Sequence, residues 1–388
     1  MIRLRIPGSA LLLAALAATP AGAQSLLSAY SLGYPLEPID ARGRALGGIA
    51  AGFQGPHFSL VNPAALSGLP VAGVSVTLQS DAFTPDGSTD GVSTETVTTA
   101  RFPAIQAAFP VGSRFVASVG YAAVLDQSWE SVIEDSIDIA GQRRFVQDRF
   151  VSRGGLSRFR AGAAYILVPR LDVGVGLDLY TGALRDSVSR EFPDGGLFPA
   201  ATGTDYEYKG LGVSVGARYR GPAVTVAAAV TAAGDLTATA ADSAVEARSY
   251  ALPLKLDAGA TARVSQNALV AASFRWSGWS AASEALSQAG GARDVMHASG
   301  GLEYEGLGLA GRPLPVRVGV RWTQLPFAAG EGDRFSEERA FTGGFGLVLG
   351  GGAAAADLSA EAGTRDGGDP LLSENFWRVS LSLSLLGR

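Results

Sequence analysis

The sequence predicts an all-β protein, a transmembrane antiparallel β-barrel of about fourteen strands. Three observations lead there. The chain is 47% hydrophobic and 17% charged, and 51 of its 388 residues are Gly, whereas ordinary soluble domains carry about 25% charged residues and about 7% Gly. Its apolar residues alternate with polar or tiny ones at a period of two, as in a strand with two unlike faces. The alternating segments are about ten residues long, and the connections between them are short and long in turn, as in barrels with tight periplasmic turns and wide outer loops.

The first residues read as a secretory leader. Arg3 and Arg5 precede the apolar run Ala10–Ala18, and Pro20 and Ala21-Gly22-Ala23 supply a cleavage site of small residues. The run is too short to cross about 30 Å of hydrocarbon. Residues 1–23 are therefore expected to be removed on export. They carry two Arg and no acid, so the formal charge falls from −5 to −7.

The lack of Cys excludes a disulfide scaffold, a thiol enzyme and a Cys-ligated zinc site. Two His, His57 and His297, leave little room for His-based metal or triad chemistry. The acidic balance, with Lys209 and Lys255 as the only lysines, points away from nucleic acid. The best candidate for a transmembrane helix, Ala340–Ala356, is 17 residues without a charge but contains six Gly, which a helix tolerates poorly. Gly350-Gly351-Gly352 reads there as a turn between two strands.

Strands are expected near 72–80, 102–110, 114–124, 156–167, 171–181, 207–219, 222–232, 251–263, 267–277, 294–304, 314–324, 339–349, 353–363 and 376–386. Leu171-Asp-Val-Gly-Val-Gly-Leu-Asp-Leu-Tyr180 and Trp377-Arg-Val-Ser-Leu-Ser-Leu-Ser-Leu385 show the alternation most clearly. A soluble sandwich would give the same pattern in any one strand; an even number of ten-residue strands with alternating turns and loops is what favours a membrane barrel. Trp129, Trp276, Trp279, Trp322 and Trp377 all fall at or just beyond the outer end of a segment, where an aromatic girdle belongs, and Tyr165, Tyr219 and Tyr304 lie nearer the turn end.

The polar parity places Arg160, Asp172, Asp178, Arg218, Lys255, Asp257, Arg275, Glu303, Arg317, Arg321, Asp357, Glu361 and Arg378 inside the barrel, with His297. An Arg or Lys facing lipid at mid-membrane would cost about 2–4 kcal/mol. Two readings of Arg160, Asp178, Arg218, Arg275, Arg317, Arg321 and Arg378 follow. Some of the guanidinium forks could hold a carboxylate headgroup; the mixed signs favour an ion-pair network filling the lumen. Gly306-Leu-Gly-Leu-Ala-Gly311 matches a dinucleotide motif, but Arg312-Pro313-Leu314-Pro315 forbids the helix such a site needs. Asp81–Asp90 reads as an acidic, Gly-bearing outer loop that could hold Ca²⁺, although no EF-hand spacing is present. No catalytic constellation, metal site or cofactor motif emerges, so no enzyme is expected.

Residues 24–70 precede the first strand and contain Arg44-Ala45-Leu46-Gly47-Gly48-Ile49-Ala50 and Asn62-Pro63-Ala64-Ala65-Leu66. Asn-Pro favours a turn, and the Gly pair suits backbone passing through a crowded space. The same Asn62-Pro63 could simply shape the approach to the first strand. These motifs resemble those of the FadL-type outer-membrane transporters of hydrophobic compounds and of the related PorV-type barrels, although Ala65 stands for the usual Gly and no Met separates Gly47 from Gly48. The resemblance implies that residues 24–70 fold into the lumen as a hatch, marked by Arg44, Gly47, Gly48, Asn62, Pro63 and Ala64, inside a barrel formed by 71–388. It further implies passive transport of hydrophobic or amphipathic, fatty-acid-like compounds across the outer membrane of a Gram-negative-type bacterium, in contact with its lipid. The alternative is a PorV-like barrel that binds or anchors secreted proteins. The chain ends Leu385-Leu386-Gly387-Arg388 rather than on the aromatic residue common in such barrels.

Overall fold

The computed structural model describes residues 26–29, 31–85, 97–195, 197–242, 246–287, 290–309, 311–328, 335–366 and 373–387. The expected leader at 1–23 and the acidic residues 86–90 lie outside the described residues. Fourteen antiparallel passes close into a barrel. They are β1 (Gly73–Pro85), β2 (Val97–Val111), β3 (Phe115–Asp126), β4 (Gln142–Val168), β5 (Leu171–Glu191) and β6 (Ala200–Arg220). β7 is Val224–Ala233, continued past Gly234 by Asp235–Ala240, and β8 is Arg248–Ala251, continued by Lys255–Arg263. β9 (Ala268–Ser277), β10 (Val295–Tyr304), β11 (Val316–Ala328), β12 (Phe335–Leu349), β13 (Ala354–Asp366) and β14 (Glu374–Leu386) complete the ring. β14 pairs with β1 from Leu386↔Gly73 to Glu374↔Pro85, which closes the ring.

Each expected segment coincides with one of these passes. The alternation shows directly in exposure: Leu177, Leu211, Phe341, Trp377 and Leu385 face out, while Asp178, Arg218, Thr342, Arg378 and Ser382 are buried. Tyr165, Tyr219 and Tyr304 stand exposed near the turn end. Gly350–Gly352 forms the β12–β13 turn with positive φ at all three residues. The Gly306–Gly311 stretch leads into a two-residue ladder, Gly308–Leu309 with Arg312–Pro313.

The strands run farther outward than the sequence suggests. β4 starts at Gln142, β5 continues to Glu191 and β6 starts at Ala200, where long connections were expected. In addition Trp129–Ile139 pairs with Gln142–Ser152, within β4. Here both faces meet water, so charges such as Arg185, Asp148 and Asp205 occupy either side and the apolar alternation fades while the ladder continues. Asp81 is a second correction: it is no loop residue but lies in β1, fully buried. Trp279 is a third: instead of joining a girdle it turns into the barrel mouth, edge to face with Phe327 at 5.0 Å.

The segment before β1 runs inside the ring. It contains the short helix α1 (Ala41–Ala45), capped by the Asp40 side chain, and a 3-10 turn, Pro63–Leu66, capped by Asn62. β2 and β3 pair only from Ala104↔Ala122 to Val111↔Phe115. Farther out, the edge of β3 is taken by the inner segment, with Tyr34 opposite Asp126 and Pro35 opposite Leu125.

Candidate functional site

The inner segment is held around its circumference by the barrel wall. At Asn62-Pro63-Ala64 the Asn62 Oδ1 accepts from the Ala64 amide at 2.9 Å, while Asn62 Nδ2 donates to the Ala217 carbonyl at 3.1 Å. One amide side chain thus both caps the turn and ties it to β6. Gly216 lies against it, and a Cβ there would run into Asn62 Oδ1. Arg218, 2% exposed, donates to the carbonyls of Ala65 (2.9 Å), Ser67 (2.7 Å) and Gly55, and pairs with Asp172 at 2.8 Å. Arg160 grips Asp178 with two bonds of 2.6 and 2.7 Å and donates to the Leu60 carbonyl at 2.8 Å, which Arg158 also reaches at 2.7 Å.

On the opposite wall, Arg44 bonds Glu361 at 3.2 Å and the Glu37 carbonyl at 2.9 Å. The Ala41 amide donates to Ser382 Oγ at 2.7 Å, and Thr342 Oγ1 donates to the Ala45 carbonyl at 3.0 Å. Gly47 has φ +88° and presses against β11, where a Cβ would meet the Val320 carbonyl; only Gly fits on both counts. Gly48, also left-handed, lies beside His297.

The other inward charges form connected pairs. Arg317 bonds Glu303 and, at 2.5 Å, Asp357; Arg42 of the inner segment meets Glu303 at 2.7 Å. Arg275 lies between Asp257 and Glu37, 2.5 Å from each. Arg378 joins Asp81 at 2.6 Å and Glu361 at 3.3 Å; Arg321 joins Glu338 and Glu361. Arg365 meets Glu338 at 2.6 Å and Glu374 at 3.1 Å, and Tyr34 Oη donates to Glu338 at 2.8 Å. Arg365, Glu338 and Glu374 share the inward parity but lie beyond the expected strand ends, so sequence reasoning missed them. In the inner segment, burial alone would raise the Glu37 carboxyl, but Arg275, followed by His297 and Arg321, outweighs it and holds the group far below the usual range. Burial lowers the His57 pKa although Asp40 lies 3.6 Å away.

Above this charged layer the inward face changes character. Leu32, Val124, Leu156, Tyr180, Leu184, Tyr208, Leu236, Leu252, Trp279, Leu286 and Phe327 form one apolar cluster at the barrel mouth. Parity from polar residues could not find it, because in the outer half several strands carry apolar residues on their inward positions. A cavity of about 70 Å³ lies between the two layers, room for a few waters. Pro35, Leu36, Trp279, Met296 and Leu325 line it on the apolar side, and Lys255, Arg275, His297 and Arg321 on the polar side. Lys255 has no ion-pair partner among the described residues, and Glu37 Oε2, Arg275 Nη2, His297 Nε2 and Arg321 Nε are buried without a hydrogen-bond partner there. No group of acids and His among the described residues could hold a metal.

Several solved transporters and channels share this fold. The toluene transporter TbuX of Ralstonia pickettii is 17% identical, with a TM-score of 0.58 over 91% of this chain and 99% of that one. The CymD monoaromatic hydrocarbon channel is 18% identical, with a TM-score of 0.56 over 93% and 99%. A Pseudomonas aeruginosa FadL homologue is 12% identical, with a TM-score of 0.57 over 91% and 98%. At these identities the likeness establishes the shared fold, that of FadL-type outer-membrane barrels. No curated protein matches the chain by sequence. A sequence model of the BamG family matches residues 1–232, more than half of the chain, and the protein belongs to the BamG family.

Proposed function

We propose that this barrel lets small hydrophobic or amphipathic molecules, fatty-acid-like carboxylates among them, pass the outer membrane. The observation that carries the reading is the apolar vestibule resting on a cationic cavity. The vestibule would take a hydrocarbon body out of water, and Lys255, Arg275 and Arg321 would meet an acidic head. The hydrocarbon channels that share the fold support an apolar cargo and a transporter rather than an enzyme. In this reading residues 1–23 are a leader, 24–70 a hatch and 71–388 the barrel. Arg44, Gly47, Gly48, Asn62, Pro63 and Ala64 seat the hatch. Arg160, Asp178, Arg218, Arg317 and Arg378 hold the interior together.

The stretch that would yield is 32–37. It closes the cavity from one side and rests on β3 through Tyr34 and Pro35, whereas 41–67 is bound to the wall by many charged bonds. The chain has no native Cys, so a single disulfide can trap it. A Pro35→Cys, Leu125→Cys pair should abolish uptake of a long-chain carboxylate and of a monoaromatic hydrocarbon until a reductant is added. Uptake by the oxidised form equal to that of the reduced form would sink the reading.

The same tightly bound interior favours a second reading, a closed barrel that anchors secreted proteins at the surface. Copurification of a protein instead of a small apolar compound, found by mass spectrometry of the detergent-extracted barrel, would select it.

A further inference from the structure

The hairpin Trp129–Ile139 and the outer part of β4 stands beyond the membrane on the loop side. Its turn, Ala140-Gly141, has positive φ at both residues, the conformation that matches the twist of two paired strands. The hairpin is therefore a formed sheet margin and not a slack loop. Trp129–Ile139 pairs with β4 along one edge, from Trp129↔Ser152 to Ile139↔Gln142, and among the described residues with no strand along the other.

That margin has two distinct faces. Glu130, Val132, Glu134, Ser136 and Asp138 share one; Trp129, Ser131, Ile133, Asp135, Ile137 and Ile139 share the other. Glu130 is engaged by Arg149 at 2.5 Å and Arg153 at 2.8 Å. Glu134, Asp135 and Asp138 are exposed and have no ion-pair partner among the described residues. Val132 and Ile133 are about half exposed (47% and 52%).

We propose that Trp129–Ile139 is a docking edge that accepts, by strand addition, an extended segment of a surface or secreted protein with alternating basic and apolar residues. The backbone ladder supplies affinity. Lysine or arginine on one face of the incoming strand would oppose Glu134 and Asp138, and apolar residues on its other face would meet Ile133 and Ile137. A second copy of this chain is a poor occupant, because self-pairing brings acid against acid. The inference stands apart from the passage reading and gives the anchoring reading a surface. Its rival is that the acids merely guard an open edge against pairing.

A peptide as long as the strand, alternating Lys and Val, separates the two. With the full-length barrel in uncharged detergent at low ionic strength, the peptide should bind and slow exchange of alternate amides across 130–138. Methylating alternate peptide nitrogens should weaken binding about tenfold or more by removing ladder donors. The Glu134→Lys, Asp138→Lys variant should do the same by reversing charge; both residues are exposed, and retained heat-modifiable migration verifies its fold. The proposal is overturned by absent binding, by equal binding of the methylated peptide, by equal binding to the charge-reversed variant, or by equal binding of a Glu-Val control peptide. An unmoved exchange pattern in the presence of bound peptide also overturns it.

Discussion

Arg218→Ala tests how the inner segment is held. The side chain is 2% exposed and donates to the carbonyls of Gly55, Ala65 and Ser67. Its loss does not orphan Asp172, which keeps Arg220 at 2.8 Å. What is lost is three charge-assisted bonds to the inner segment. At roughly 1.5–3 kcal/mol each, with some overlap among bonds from one group, about 3–5 kcal/mol of local stability disappears. Each 1.4 kcal/mol is about tenfold, so local opening of residues 55–67 should rise roughly 100- to 3000-fold. Hydrogen exchange at the amides of His57, Ala65 and Ser67 reads this directly, since each bonds within the segment. The barrel ladder should exchange as before. Arg220→Ala serves as control: Arg220 also binds Asp172 but is 34% exposed and, among the described residues, makes no bond to the inner segment, so a change of only about 0–1 kcal/mol is expected. If Arg218→Ala leaves exchange at 57–67 within threefold of the parent, the wall does not hold the segment and the reasoning fails.

Other outcomes follow from the same contacts. Gly216→Val places branched carbon against Asn62 Oδ1; it should free the 62–66 turn at a cost of about 1–3 kcal/mol, seen as protease cutting there in an otherwise folded barrel. Leu177→Arg puts a cation on the lipid face, where Leu177 is 67% exposed; folding into lipid should weaken by about 2–4 kcal/mol, measured by reversible denaturant titration. Glu37 has a folded pKa depressed below its ordinary 4.5, so its contribution is present above about pH 4.5 and lost only as pH falls toward the folded value. Amide exchange over 33–39, corrected for intrinsic rates, should stay flat from pH 8 to 5 and rise below about pH 4; a rise already at pH 6 would contradict the Glu37–Arg275 pair.

The bonded interior constrains any motion. Moving all of 41–67 would break the Arg218, Arg160 and Arg44 contacts at once, and charge-assisted bonds of this kind are worth about 1.5–3 kcal/mol each. Stretch 32–37 depends mainly on Tyr34 and Glu37. That asymmetry places the expected movement next to the cavity.

The number and phase of the strands could be read from the residues alone, because lipid on one side and a charged lumen on the other force apolar and polar residues to alternate within each segment. Asn62-Pro63 was legible as a turn for an equally local reason: the Asn side chain reaches an amide two residues on. The rest depends on positions distant in the chain. Which acid meets Arg378 or Arg321 is set by closure of β14 onto β1 and by register across β11–β13. The apolar vestibule arises only where inward positions of β3–β8 and the loop carrying Trp279 converge. The outward run of β4–β6 escaped pattern reading because strands in water need no apolar face. The tight seat of the inner segment likewise requires Gly216, Val320 and Ser382 to arrive from separate strands. Alternation is a constraint between neighbours along the chain, whereas charge partners, cavity and seat are constraints between strands that meet only when the ring closes.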